Sequence, residues 1–227
     1  MLLEVIATCM DDARKAEASG ADRLELITAI TEGGLTPGIG LVEEVVQKIN
    51  IPVHVMVRPH SRSFVYDEDD VNTMIAEIKA IRRAGAAGVV LGALTEAGRI
   101  DEQALAALLA HTGEMQVTFH RAFDELKDQF AGLTVLSKYK EITRILTSGG
   151  TQPAPQAIPQ IQKLVDHSQG SHIKILAGNG LTPEGIRQFV TQTGVEEVHF
   201  GSAVRLERSG LLPIDSDAVR RLADSLK

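Results

Sequence analysis

Eight short apolar runs, each followed by an amphipathic stretch, govern what this chain of 227 residues can become. The runs are Leu2–Ala7, Arg23–Leu26, Val53–Val57, Gly88–Leu91, Gln116–Phe119, Ile142–Leu146, Ile173–Ala177 and Val198–Phe200. Their shortness and their Val and Ile content fit strands, whereas the stretches between them repeat apolar residues at helical spacing. Those stretches are Asp11–Ser19, Gly40–Ile49, Glu68–Ala84, Asp101–Ala110, Gln129–Lys138, Ala157–Ser168 and Pro183–Thr193, with Asp217–Ser225 closing the chain. Glycine marks several helix ends, in Gly20-Ala21, Gly85-Ala86 and Gly194-Val195, where a left-handed residue terminates the ladder. Thr182-Pro183-Glu184 reads as a helix start, with Thr as cap and Pro in the first turn. The alternation predicts a single (β/α)8 TIM barrel over residues 1–227, somewhat shorter than the ~250 residues usual for that fold. A doubly wound sheet alternates in the same way, but no Gly-rich dinucleotide fingerprint follows the first strand.

The strands carry polar residues where a barrel interior is usually aliphatic. Val53, Val55 and Val57 share the outward parity, which leaves His54, Met56 and Arg58 facing the lumen. The same reasoning turns Glu4, Arg23, Glu25, Gln116, Thr118, His120, Arg144, Lys174, Glu197 and His199 inward. Charges withdrawn from water must be paired, so Glu4, Arg23, Glu25, Arg144 and Lys174 are expected to form an ion-pair network. Residues at strand C-terminal ends open onto the face where barrel enzymes work. That criterion selects Glu25, Arg58, His120 and His199, with Arg121 and Asp124 just beyond the fifth strand, and leaves His54 as a deeper core histidine. The long polar loop Arg58–Asp70 reads equally as a lid or as a surface excursion.

Three consecutive βα loops hold glycine: Thr147-Ser148-Gly149-Gly150, Gly178-Asn179-Gly180 and Gly201-Ser202. Glycine lets backbone approach a ligand, and helix starts behind such loops present unpaired N–H groups. Gly178, Asn179, Gly180, Gly201 and Ser202 are therefore expected to seat a small anion. A net charge of −7 disfavours nucleic acid or an anionic membrane as partner. The single Cys excludes an internal disulfide and an all-Cys zinc site. No basic leader precedes Met10 and no apolar run reaches the ~18 residues of a membrane span, so a cytosolic protein is expected.

Several segments taken in order resemble the CutC copper-homeostasis family. They are Gly20-Ala21-Asp22-Arg23-Leu24-Glu25-Leu26, Glu32-Gly33-Gly34-Leu35-Thr36-Pro37 and Val55-Met56-Val57-Arg58-Pro59. They continue with Gly92-Ala93-Leu94-Thr95, Thr118-Phe119-His120-Arg121-Ala122-Phe123-Asp124 and Leu146-Thr147-Ser148-Gly149. The resemblance implies a cytosolic TIM barrel that self-associates as a dimer or higher homo-oligomer, with Cu(I) bound through cysteine; it carries no established reaction. Cys9 matches one family cysteine, and Ile27 stands where family members often have another. Cu(I) prefers soft thiolate or thioether ligands, so copper binding is expected to rest on Cys9 and to be weak within one subunit.

Two functions follow from different classes. In the first, Cys9 holds Cu(I) for storage or delivery. In the second, an enzyme acts on a small anionic or phosphorylated metabolite: Glu25 or His120 moves a proton, and Arg58 or Arg121 steadies negative charge. A variant of the second places a divalent cation on Glu25, His120 and His199.

Overall fold

The computed structural model describes every residue from Met1 to Lys227. Eight parallel strands close on themselves in sequence order. They are β1 Leu2–Ala7, β2 Arg23–Leu26, β3 Val53–Met56, β4 Gly88–Leu91, β5 Gln116–Phe119, β6 Ile142–Thr147, β7 Lys174–Ala177 and β8 Glu197–Phe200. Closure comes from β1, which pairs with β2 through Glu4 and Arg23 and with β8 through Glu4 and His199. The helices between and after the strands are α1 Met10–Ala18, α2 Ile39–Lys48, α3 Glu68–Ala84, α4 Glu102–Leu109, α5 Gln129–Leu136, α6 Ile158–Ser168, α7 Ile186–Thr193 and α8 Ser216–Ser225. Strand and helix therefore alternate as the sequence periodicity required. No helix is long and apolar enough to cross a membrane.

The parity reading fixes where the core lies. Val53, Val55, Val57, Val117, Phe119, Val198 and Phe200 belong to a large apolar layer outside the sheet, against the helices. Inside, a separate small cluster forms from Ile27, Met56 and Val90, flanked by Ile6 and Ile30. Asp67, Asp101, Asp128 and Asp215 cap α3, α4, α5 and α8 by accepting backbone N–H bonds from the first turn, which satisfies donors that would otherwise be orphaned. Helices α3 and α7 end in left-handed Gly85 and Gly194. The expected Thr182 cap of α7 is corrected: Pro183–Gly185 form a separate turn, Gly185 is the N-cap, and Thr182 Oγ1 accepts only the Gly185 N–H at 3.3 Å.

Beneath the small apolar cluster lies an ionic floor. Arg23 donates from Nε to Glu4 at 2.5 Å and from Nη2 to Glu197 at 2.7 Å. Arg144 donates to the same Glu197 oxygen at 3.1 Å and to Gln116 at 2.9 Å. Glu4 and Glu197 are thus set against Arg23 and Arg144, two charges of each sign, all buried. Lys174 does not join them. It occupies the first position of β7 at the outer rim, where its ammonium reaches water and pairs with Glu196 at 2.7 Å. Replacing Arg23 by Met strands two buried carboxylates without their shared cation, and the expected loss of folding stability is about 3–5 kcal/mol. Denaturant unfolding reads it directly; an unchanged midpoint would show that the floor holds without its central cation.

Candidate functional site at the barrel mouth

A cavity of about 900 Å³ opens at the C-terminal ends of the strands. It is lined by Glu25, Arg58, His120, Arg121 and His199, so the site residues selected from the sequence meet at one mouth. Asn179, Gly180, Gly201 and Ser202 line its rim as well, whereas Gly178 does not. Cys9 is also absent from the lining; it sits exposed at the N-cap of α1.

At the inner end, His199 joins the ionic floor to the cavity. Its Nδ1 bonds Glu4 Oε1 at 2.7 Å, and its Nε2 lies 3.8 Å from Glu25 Oε2. The other Glu25 oxygen is buried without a hydrogen-bond partner. Burial pushes the Glu25 carboxyl up to about 7, the Glu4 charge adds to the rise, and His199 opposes it. For Glu4, burial acts upward, but Arg23 and the His199 bond hold it well below the usual carboxylate range. Burial disfavours the His199 cation, yet Glu25 and Glu4 outweigh it and raise its pKa.

His120 occupies space that β4 vacates. A Cβ on Gly92 would stand 2.7 Å from His120 Nδ1, so only glycine admits the ring there. Nδ1 accepts the Ala122 N–H at 3.2 Å. An accepting Nδ1 places the proton of the neutral ring on Nε2, and Nε2 has no partner. Burial, then the charges of Arg58 and Arg121, bring the His120 pKa down to about 3, so the imidazole is neutral at physiological pH.

The two arginines differ in kind. Arg58 is buried and donates to the carbonyls of Glu32, Gly34 and Ser61 at 3.1, 3.3 and 3.4 Å. Its guanidinium lies 4.6 Å over Phe64, whose ring is 4.7 Å from His120. The loop after β3 is therefore a packed wall of the mouth, pinned by Arg58 and faced by Phe64. Sequence reasoning did not single out Phe64; a large apolar ring amid the polar Ser61-Arg62-Ser63 stretch was the available signal. Arg121 is half-exposed and aligned by Asp124 at 2.9 Å and Ser148 at 3.3 Å. Asp124 in turn accepts from Thr147 Oγ1 and from the Ser148 N–H and hydroxyl, tying the ends of β5 and β6 together.

Gly150, Thr151, Asn179 and Gly180 line the same cavity as Arg121, and their backbone N–H groups donate to no backbone carbonyl. The two loops touch: Ala154 N–H donates to Asn179 O at 2.9 Å, and a Cβ on Gly180 would strike Pro153 at 2.5 Å. The expected helix-start donors are not adjacent, because α7 begins only at Ile186 and Ser202 opens a three-residue 3₁₀ turn.

The side chains able to gather round a cation are Glu4, Glu25 and His199, not the expected set with His120. Both Glu4 oxygens are engaged, by Arg23 and His199, so an ion there would have to break a buried pair. Copper(I) fits no better. Cys9 is the one thiol and belongs to no ligand cluster, and Ile27 is buried against Met56 and Val90.

A family model described as the CutC family matches residues 1–204. The chain belongs to the CutC family. It is 38% identical over 198 residues to the copper homeostasis protein cutC homolog of Homo sapiens, covering 87% of this chain and 72% of that one. Over 197 residues it is 41% identical to a family protein CutC of Rhizobium meliloti, covering 87% and 79% of the two. The crystal structure of CutC from Streptococcus agalactiae superposes with a TM-score of 0.83 at 30% identity, over 88% of this chain and 97% of that one. Phosphoribosyl anthranilate isomerase from Thermococcus kodakaraensis, at 15% identity and a TM-score of 0.65, covers 100% and 98% and shows the barrel fold alone.

Glu25 gives the family barrel a pH signature. Its folded pKa lies above the ordinary 4.5 of the unfolded chain, so its stabilising proton is fully held below about pH 4.5 and lost as pH rises through about 7. Wild-type stability is expected to fall relative to Glu25→Gln across that window, by about 1–3 kcal/mol in total. Parallel unfolding curves for the two proteins from pH 4.5 to 8 would show that Glu25 ionises freely.

Proposed function

We propose that this CutC-family chain works as an enzyme at its barrel mouth, on a small phosphorylated metabolite. The observation that carries the reading is Arg121, aligned by Asp124 and Ser148 beside the unspent N–H groups of Gly150, Thr151, Asn179 and Gly180. Such a rim offers a phosphate a guanidinium and several backbone donors, while Glu25 and His120 supply proton-handling groups deeper in the same cavity. The relatives' name, copper homeostasis protein, supports a part in copper handling for this chain too. Inorganic phosphate titrated at low salt should shift the amide resonances of Gly150, Thr151, Asn179 and Gly180, and Arg121→Ala should weaken that binding about tenfold or more. Resonances that stay fixed, or move only elsewhere on the surface, would remove the support for an anion site.

A second reading rests on the exposed thiol of Cys9. One thiolate gives Cu(I) an incomplete soft site, and two copies of the chain, self-associated so that their Cys9 residues meet, would complete it. In competition with a Cu(I) chelator, Cys9→Ser should abolish uptake and Glu25→Gln should leave it unchanged. Loss of copper in His120→Ala instead would move the metal to the mouth.

A further inference from the structure

We propose that the mouth catalyses enolisation of a small phosphorylated 2-hydroxy carbonyl compound, with Glu25 as the base at carbon and the neutral imidazole of His120 as the donor to the carbonyl oxygen. This deepens the enzyme reading above and rests on it. Three observations meet in one cavity. Glu25, 2% exposed, has one oxygen, Oε1, without a hydrogen-bond partner. His120, 3% exposed, has its Nδ1 engaged by Ala122 N–H and its Nε2 unpartnered. The two stand on β2 and just past the end of β5, on well-separated strands of the barrel, so a molecule between them has a base on one side and a hydrogen-bond donor on the other.

Buried polar atoms without partners cost stability, and Glu25 Oε1 and His120 Nε2 belong to residues lining one cavity, where a ligand can partner both. A carboxylate base opposed to a neutral imidazole is a pairing suited to carbon-acid chemistry: the imidazole polarises a carbonyl without carrying a charge that the developing enolate would have to neutralise. The raised Glu25 pKa brings its basicity closer to that of the carbon acid, while His199 and Glu4 behind it keep the carboxyl oriented. The phosphate end is placed by Arg121 and the rim N–H groups, which fixes which carbon meets Glu25.

The step balances without a co-reactant. The C–H bond next to the carbonyl breaks and its proton passes to Glu25 Oε1. The released electron pair forms the enediolate double bond as the carbonyl pair moves onto oxygen, where His120 Nε2–H donates. The neighbouring hydroxyl proton transfers to that oxygen by way of Nε2, and Glu25 returns its proton to the former carbonyl carbon. The carbonyl has then moved by one carbon, and both side chains are restored.

The test is proton exchange in deuterium oxide, followed by proton NMR. The probes are dihydroxyacetone phosphate, ribulose 5-phosphate, fructose 6-phosphate and, as the arm lacking phosphate, dihydroxyacetone. At least one phosphorylated probe should lose its α-proton signal under wild-type protein, and dihydroxyacetone far more slowly. Glu25→Gln should slow exchange at least about 100-fold and His120→Gln about 10-fold or more. Gly92→Ala keeps both side chains but crowds His120, and should reduce exchange while the far-ultraviolet spectrum stays native. If Glu25→Gln fails to fold, Glu25→Asp, which withdraws the carboxylate from the substrate carbon, takes its place with the same expected loss. Phosphorylated probes that shift the rim amides yet exchange no faster than with Glu25→Gln or Glu25→Asp overturn the enolisation and leave the anion site standing. Probes that do not bind at all overturn both.

Discussion

The pairing of Arg23 with Glu4 and Glu197 is the interaction on which the rest of the structure depends. A barrel of short strands with few aromatic residues would ordinarily fill its lumen with aliphatic side chains. This one places two acids and two arginines there and pairs them with one another, at hydrogen-bond distances from four different strands. The arrangement also closes the cylinder electrically, because Glu4 on β1 reaches both Arg23 on β2 and His199 on β8 across the seam where the sheet meets itself. Because the floor is neutral within itself, the next residues toward the mouth experience burial without a dominating field of either sign. Their proton affinities are then set by near neighbours.

From that point the site is a matter of space and spent donors. Glycine at position 92 lets an imidazole lie against β4, and a single backbone N–H then decides which nitrogen of that ring is free. Arg58 and Arg121 have the same charge and opposite duties. One donates to three carbonyls and lies over an aromatic face, so it holds a loop in place. The other is oriented from behind by a carboxylate and a hydroxyl, so its remaining edge is available.

Much of this was legible in the sequence because strand parity is a strict rule. The alternation Val53, His54, Val55, Met56, Val57, Arg58 can be satisfied only if one set faces helices and the other the lumen, and the apolar layer confirms it. What parity does not convey is height along the axis. Lys174 shares the inward parity of Arg144 but sits at the first residue of β7, at the rim, where water is a better partner than the floor. Nor does the sequence reveal donor use, which is why Arg58 and Arg121 read alike. Helix starts suffered similarly: Thr182-Pro183 has the composition of a cap, but the turn it opens closes on Gly185 before the helical ladder begins. Phe64 lies in a loop with no periodicity to place it, so its stacking between Arg58 and His120 emerged only from the fold.

The buried floor makes the barrel a vessel that opens at its mouth. Glu4, Arg23 and His199 are buried below Glu25, with their hydrogen bonds directed at each other. The cavity opens widely at the mouth, which is therefore the direct route for hydrogen ions between Glu25 and bulk solvent. An occupant large enough to stopper that mouth would isolate the carboxyl for as long as it stayed. Hydrogen taken from such an occupant would then be handed back to it more often than traded with the surroundings, and the fraction retained would measure how tightly the vessel closes.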